Sequence, residues 1–260
     1  MLLTTWNVNS LKTRIKKVHE LLTIKQPDFL LLQEIKGLDE TIFQQFNTLG
    51  YTSYYNLQKT YNGVATISKL KGDVLYTELP HFPDEQARYL EIKYGNLHVI
   101  NVYIPNGNPI NTEKYKYKLA WLVHLYQHLR SLLFNDIPFI IAGDFNIAPE
   151  DSDVYSVKAF QNDALTEPQV RDIFFKIMNF GLVDAVKIQY SNSEKIYTWW
   201  DYRHNAFHKN NGARIDHILL SPYIADSFLS ANIDTLPRSA EQPSDHTPVS
   251  CLFNSLEAKT

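Results

Sequence analysis

The chain has 260 residues, a formal net charge of −3, 44% hydrophobic and 13% aromatic content, and a single cysteine. That composition supports a large buried core and excludes a disordered chain, a passive basic nucleic-acid coat and an internal disulfide framework. No apolar run nears the ~20 residues of a membrane span, and Met1-Leu2-Leu3 lacks the basic start of a signal peptide, so a soluble cytoplasmic protein is expected.

Leu2 to Val8 opens the chain as a strand and runs into Asn7 and Asn9. Ser10 then stands as the N-cap of a helix over Leu11 to Ile24. There Leu11, Ile15, Val18 and Leu22 recur at helical spacing, with Lys12, Arg14, Lys16 and Lys17 mainly on the other faces. Phe29 to Gln33 is continuously apolar up to Gln33, as a strand covered on both faces would be, and it runs into Glu34. Further strands are expected at Val64 to Ser68, Leu90 to Lys93 and Leu97 to Tyr103. The last exits through Ile104-Pro105-Asn106, where Pro105 keeps the backbone extended.

Leu119, Leu122, Tyr126, Leu129 and Leu133 mark a second helix ending before Pro138. Lys116 and Lys118 at its start oppose the helix dipole, which points to an anionic partner or to a solvated basic face. Phe139 to Ala142 is a second continuously apolar strand, running into Gly143-Asp144-Phe145-Asn146. A third helix spans about Glu167 to Phe180 and stops at Gly181. Ile215 to Leu220 and Val249 to Phe253 complete the strands, the latter burying Cys251 as a structural thiol. No linker, repeat or low-complexity tract divides the chain, so residues 1–260 are expected to form one α/β domain of packed sheets covered by helices.

Four of these apolar runs end in acidic or amide residues. Asn7, Glu34, Asp144, Asn146, Asp245 and His246 together offer hard oxygen ligands and one imidazole, the set that metal-assisted phosphate hydrolysis needs. Gly143 allows close approach to the backbone, and the i, i+2 spacing of Asp144 and Asn146 suits one side of a strand end. Tyr103, at a strand's polar end, is either a core aromatic or a hydroxyl aimed at phosphate. Asp216 pairs with a lysine or with Arg214, or it fixes the tautomer of a histidine. His217 is its neighbour in sequence but faces the other way on a strand, which leaves His246 as the preferred partner.

The ordered set WNVNSLKTR, LLQEIK, NVYIPNG, IAGDFNIAPED, YTWWDYR, ARIDHILLSP and PSDHTPV resembles the exonuclease III family of abasic-site endonucleases, across essentially the full chain. The resemblance implies a four-layer α/β sandwich of two packed mixed β-sheets flanked by helices. It implies dependence on Mg²⁺, with Mn²⁺ as substitute, through one or two ions. It also implies a monomer acting on double-stranded DNA: incision 5′ to abasic sites, 3′→5′ degradation from 3′ ends, and 3′-end cleaning. Metal ligation falls on Glu34, with Asn7, Asp144, Asn146, Asp245 and His246 in or near the metal shell. Tyr103 resembles the tyrosine that contacts the scissile phosphate, Asp144 the general base and Asn146 the residue holding nucleophile and transition state. Asp216 and His246 resemble the family's Asp–His pair, with the histidine as base, phosphate donor or orienting group. The chain departs from many relatives at Tyr155, where they carry histidine, and this bears on the balance of endonuclease and exonuclease activity.

For DNA contact the candidates are Lys116, Lys118, Trp200 and Arg203. Of Trp199 and Trp200, one is expected in the core and the other free to stack on a displaced nucleotide, with Trp200 preferred because it adjoins polar Asp201-Tyr202-Arg203. A phosphatase or phospholipase of the same superfamily, and a catalytically dead binding scaffold, are the rival readings. The first is disfavoured by the Trp-Trp-Asp-Tyr-Arg segment and the second by the intact ligand set.

Overall fold

Side-chain alternation along the strands sorts the chain into layers. The computed structural model describes residues 1–190 and 195–254. Among these residues the strands are β1 (Leu2–Asn7), β2 (Phe29–Gln33), β3 (Thr52–Asn56), β4 (Val64–Ser68), β5 (Asp73–Tyr76), β6 (Tyr89–Tyr94), β7 (Leu97–Tyr103), β8 (Phe139–Asp144), β9 (Val183–Asp184), β10 (Asp216–Leu220), β11 (Phe228–Ile233) and β12 (Val249–Phe253). They form two six-stranded mixed sheets, ordered β11-β12-β1-β2-β4-β3 and β5-β6-β7-β8-β10-β9.

In β1 and β2, Leu3, Phe29 and Leu31 face one way and join Val99, Ile140, Ala142 and Ile218 of the other sheet in a shared core. Trp6, Leu30 and Leu32 face the opposite way, against Leu11, Val18 and Leu22 of the Leu11–Ile24 helix. On the far side of the second sheet, Ile100, Ile141 and Leu219 pack on Trp121, Leu122, Leu125 and Leu129 of the Glu113–Phe134 helix and on Val170 and Phe174 of the Pro168–Met178 helix. The result is helix, sheet, sheet, helix: the four-layer sandwich that the resemblance implied. No described helix is long and apolar enough to cross a membrane.

Differences from expectation are local. The second long helix starts at Glu113, earlier than its apolar spacing indicated. Ser10 occupies the N-cap position but makes no capping hydrogen bond through its side chain; its hydroxyl lies 3.1 Å from that of Thr13. The strands absent from the sequence analysis, β3, β5, β9 and β11, are the four edge strands of the two sheets.

Candidate active site

The same alternation that builds the inter-sheet core also builds the site at its mouth. Asn7 continues the inward row of Leu3 and Thr5, Asp144 that of Ile140 and Ala142, and Asp216 that of Ile218 and Leu220. Tyr103 pairs with Asp144 across the parallel β7–β8 ladder, and Asp216 faces Asp144 across the antiparallel β8–β10 ladder. Three functional side chains therefore stand abreast on one sheet. Gly143 makes this register possible: it has φ +149°, and a Cβ there would lie 1.9 Å from the Val102 carbonyl oxygen.

The opposite sheet supplies Asn7 at the end of β1, Glu34 just beyond β2 with φ 53°, and the segment preceding β12. The Ser244 hydroxyl donates to the Asn7 carbonyl at 2.7 Å and the Trp6 indole to the His246 carbonyl at 3.2 Å, which ties that segment to β1. Below the mouth, Gln33 Nε2 donates to Thr5 Oγ1 at 2.9 Å and to Asn101 Oδ1 at 2.8 Å, a buried amide link between the sheets.

Within the mouth, Asn7 Nδ2 donates at 2.9 Å to both Glu34 Oε1 and Asp144 Oδ2. Tyr103 donates to Glu34 Oε1 at 2.9 Å, and Lys36 Nζ lies 2.7 Å from Glu34 Oε2. His246 places Nδ1 2.9 Å from Asp216 Oδ2 and Nε2 3.6 Å from Asp144 Oδ2. His217 turns to the other face of the sheet, where Nε2 donates to the Ile147 carbonyl at 2.9 Å. Arg214 likewise does not pair with Asp216; it lies 2.7 Å from Asp153 and 2.6 Å from Asp184.

The charges are far from balanced. Burial pushes the Asp144 carboxyl up; His246 pulls it down, while Asp216 and Glu34 push it further up. Burial would lower His246, yet Asp216 and Asp144 outweigh it and raise the imidazole. Burial would also raise Glu34, but Lys36 and Asn7 hold it below the usual carboxylate range. Burial and Glu34 push the Tyr103 phenol well up, so its proton stays on to donate.

Glu34, Asp144 and His246 each present a ligand atom, all within 4.8 Å of one another. Two carboxylates and an imidazole suit a small divalent cation, and a cation there offsets the charge crowding on Asp144. The other expected ligands lie differently. Asn7 turns its NH₂ toward the carboxylates and accepts from Asn9 N on its oxygen at 3.0 Å, so as placed it spaces the two carboxylates. Asn146 Nδ2 donates to the Ile104 carbonyl at 2.9 Å, Asn146 Oδ1 accepts from Asn106 at 3.1 Å, and its backbone N–H holds Asp144 Oδ1 at 2.9 Å. Asp245 accepts from Asn9 at 2.9 Å and from the Trp199 indole at 3.0 Å.

Two of the four expected DNA contacts are corrected by burial. Lys118 has no exposed surface; its ammonium is turned inward onto backbone carbonyls. Trp200 is 2% exposed and packs with Tyr197, Ala206 and Phe207. Lys116 and Arg203 are exposed, in local ion pairs with Glu113 and Asp201. It is the half-buried Trp199, with Tyr155, that covers a small apolar cluster containing Val154, Ala213 and Ile215 next to the carboxylates. Sequence reasoning missed Asn9, Lys36 and Arg14. The Arg14 guanidinium donates to the Asn9 carbonyl at 2.8 Å, the Tyr202 hydroxyl at 2.9 Å and the Pro243 carbonyl at 2.6 Å, bracing the rim. Only the run of basic residues on the first helix hinted at it.

Comparison with known proteins gives the same answer along the whole chain. Residues 4–246 match the endonuclease/exonuclease/phosphatase family model. The exodeoxyribonuclease III of Haemophilus influenzae is 32% identical, covering 96% of this chain and 98% of its own. A structure of a 3′ phosphatase from Neisseria bound to product DNA hairpin superposes with a TM-score of 0.92 at 37% identity, over 98% of this chain and 99% of that one. An AP endonuclease from Archaeoglobus fulgidus gives 0.90 at 34% identity, with 98% and 99% coverage. The chain belongs to the endonuclease/exonuclease/phosphatase family, in its exodeoxyribonuclease III branch of metal-dependent nucleases.

Proposed function

We propose that this protein is a DNA-repair phosphodiesterase of the cytoplasm, acting as a single-domain monomer. It degrades duplex DNA 3′→5′, incises 5′ to abasic sites and removes 3′-phosphate ends, with Mg²⁺ as cofactor and Mn²⁺ as substitute. The observation that carries this reading is the convergence of Glu34, Asp144 and His246 within 4.8 Å, with Asp216 behind His246. The Neisseria relative bound to product DNA supports the choice of polymer over inositol phosphate or lipid.

Glu34 and Asp144 would hold the cation through carboxylate oxygens, and when bound it would neutralise charge developing on the phosphoryl oxygens. Asp144, oriented by the Asn146 backbone N–H and the Asn7 amide, takes the proton of the attacking water. Asp216 accepts from His246 Nδ1, which directs Nε2 toward the mouth as a donor to phosphate. Tyr103 stands over Glu34 as a second donor at the rim.

The test is one activity panel: abasic duplex, blunt duplex, 3′-phosphate duplex and an inositol phosphate, each with Mg²⁺ and with EDTA. Cleavage of the DNA substrates in Mg²⁺ alone is expected. Turnover confined to inositol phosphate overturns the substrate assignment, and full activity in EDTA overturns the metal.

A further inference from the structure

Lys118 is a buried cation that the proposed chemistry leaves unused. It lies on the Glu113–Phe134 helix among Tyr115, Trp121 and Leu122, at a position where a core helix carries an apolar residue. Burying an ammonium costs several kcal/mol unless each proton finds an acceptor. Here it finds three. Lys118 Nζ donates to the carbonyls of Asn146 at 2.6 Å, Asn106 at 3.1 Å and Ala164 at 3.2 Å. An ammonium presents three donors from one atom, which no neutral side chain can do.

The three carbonyls come from segments that meet beside the catalytic strand. Asn146 follows β8 and holds a left-handed backbone, φ 51°. Asn106 follows β7, and its side chain donates to Asn146 Oδ1 at 3.1 Å. The Ala164 N–H donates to Asn108 Oδ1, in the same loop after β7, at 2.9 Å. The loop is shaped to admit the lysine: Gly107 has φ +83°, and a Cβ there would come within 2.6 Å of Lys118 Cδ. Movement of the Asn146 carbonyl would carry with it the backbone N–H that holds Asp144 Oδ1.

We propose that Lys118 is a positioning residue for the hydrolysis: its ammonium clamps the loops after β7 and β8 so that Asn146 and Asp144 keep their working geometry. This rests on the phosphodiesterase reading above. The clamp acts on the chemical step and not on DNA capture, because Lys118 has no exposed surface.

The experiment measures kcat and KM on a 3′-phosphate duplex in Mg²⁺, below the melting temperature of every variant. Lys118→Met, which keeps the stem and removes charge and donors, is expected to lose about tenfold or more in kcat with KM within about twofold. Leu129→Ala, in the core of the same helix and away from these loops, is the stability control, expected to lower Tm while kcat holds. Where Lys118→Met fails to fold, Lys118→Gln takes its place with the same thresholds, its amide retaining two donors. Unchanged kcat, or a rise in KM alone, overturns the inference. A wild type inert on every DNA substrate overturns the phosphodiesterase reading and this inference with it; an active wild type with an unaffected variant overturns this inference only.

Discussion

His246 Nδ1 lies 2.9 Å from Asp216 Oδ2, although the two residues are 30 positions apart in the chain and are carried by strands of different sheets. Asp216 begins β10, and His246 precedes β12. One charge-assisted hydrogen bond therefore spans the seam between the sheets and sets the imidazole tautomer.

We expect the pair to act as a unit. Asp216→Asn should leave the imidazole misoriented, so the double variant with His246→Asn should be little worse than the poorer single variant. A double-mutant cycle on kcat/KM checks this. Fully multiplicative losses would show two independent groups.

Activity is expected to vanish in excess EDTA and to fall by about 10²–10⁴ in Asp144→Asn, as for loss of a general base. Because burial already disfavours the charged form of Asp144, removing its charge should leave Tm unchanged or raise it in metal-free buffer. Calorimetry of the variant reads this directly. A marked fall in Tm would mean that the carboxylate supports the fold.

The two tryptophans are expected to separate stability from substrate choice. Trp200→Ala should cost about 3–5 kcal/mol of stability and depress every activity alike, since it empties a packed site. Trp199→Ala should weaken abasic incision more than blunt-end degradation, because its half-buried ring covers the apolar cluster beside the carboxylates. The comparison is kcat/KM on the two substrates for each variant. Equal losses for Trp199→Ala on both would remove its role in lesion recognition.

Acid stability is expected to depend on Glu91, which is fully buried beneath the Glu113–Phe134 helix. Burial would raise its carboxyl, but hydrogen bonds from His128 and His98, with a further one from Tyr89, outweigh this and hold it at about 2. A carboxyl depressed on folding stabilises the protein above its unfolded pKa, and that contribution is lost as pH falls through the folded value. The window is therefore about pH 4.5 down to 2, and the contribution is on the order of 3 kcal/mol. Glu91→Gln should lower stability at neutral pH and flatten its fall across that window. Denaturant midpoints measured from pH 7 to pH 2 check it; an unchanged acid slope would exclude Glu91 as the source.

Much of this was legible in local patterning. Two interior strands, Phe29–Gln33 and Phe139–Asp144, stand out because a strand with neighbours on both sides and cover on both faces is apolar over most of its length, and Val249–Phe253 stands out by its alternation. Edge strands have no such constraint. Every residue of β5 is exposed although Val74, Leu75 and Tyr76 are apolar or aromatic, every residue of β3 is half-buried with no apolar alternation, and all four edges went unmarked. The glycine before Asp144 was readable as well, since a close backbone approach demands it.

The types of residue that make the site, and the strand ends that carry them, are encoded locally and were readable without coordinates. Which way a long side chain finally turns is not. Lys118 shares its helix face with Leu122, Leu125 and Leu129 and exposed Lys116 does not, but the sequence does not say that a lysine there turns inward, nor does it separate Trp200 from Trp199. The carbonyls that draw Lys118 inward come from positions 106, 146 and 164, and the burial of Trp200 depends on a loop closing over it. Burial is set by groups that meet only when distant segments pack, so it was decided by tertiary structure.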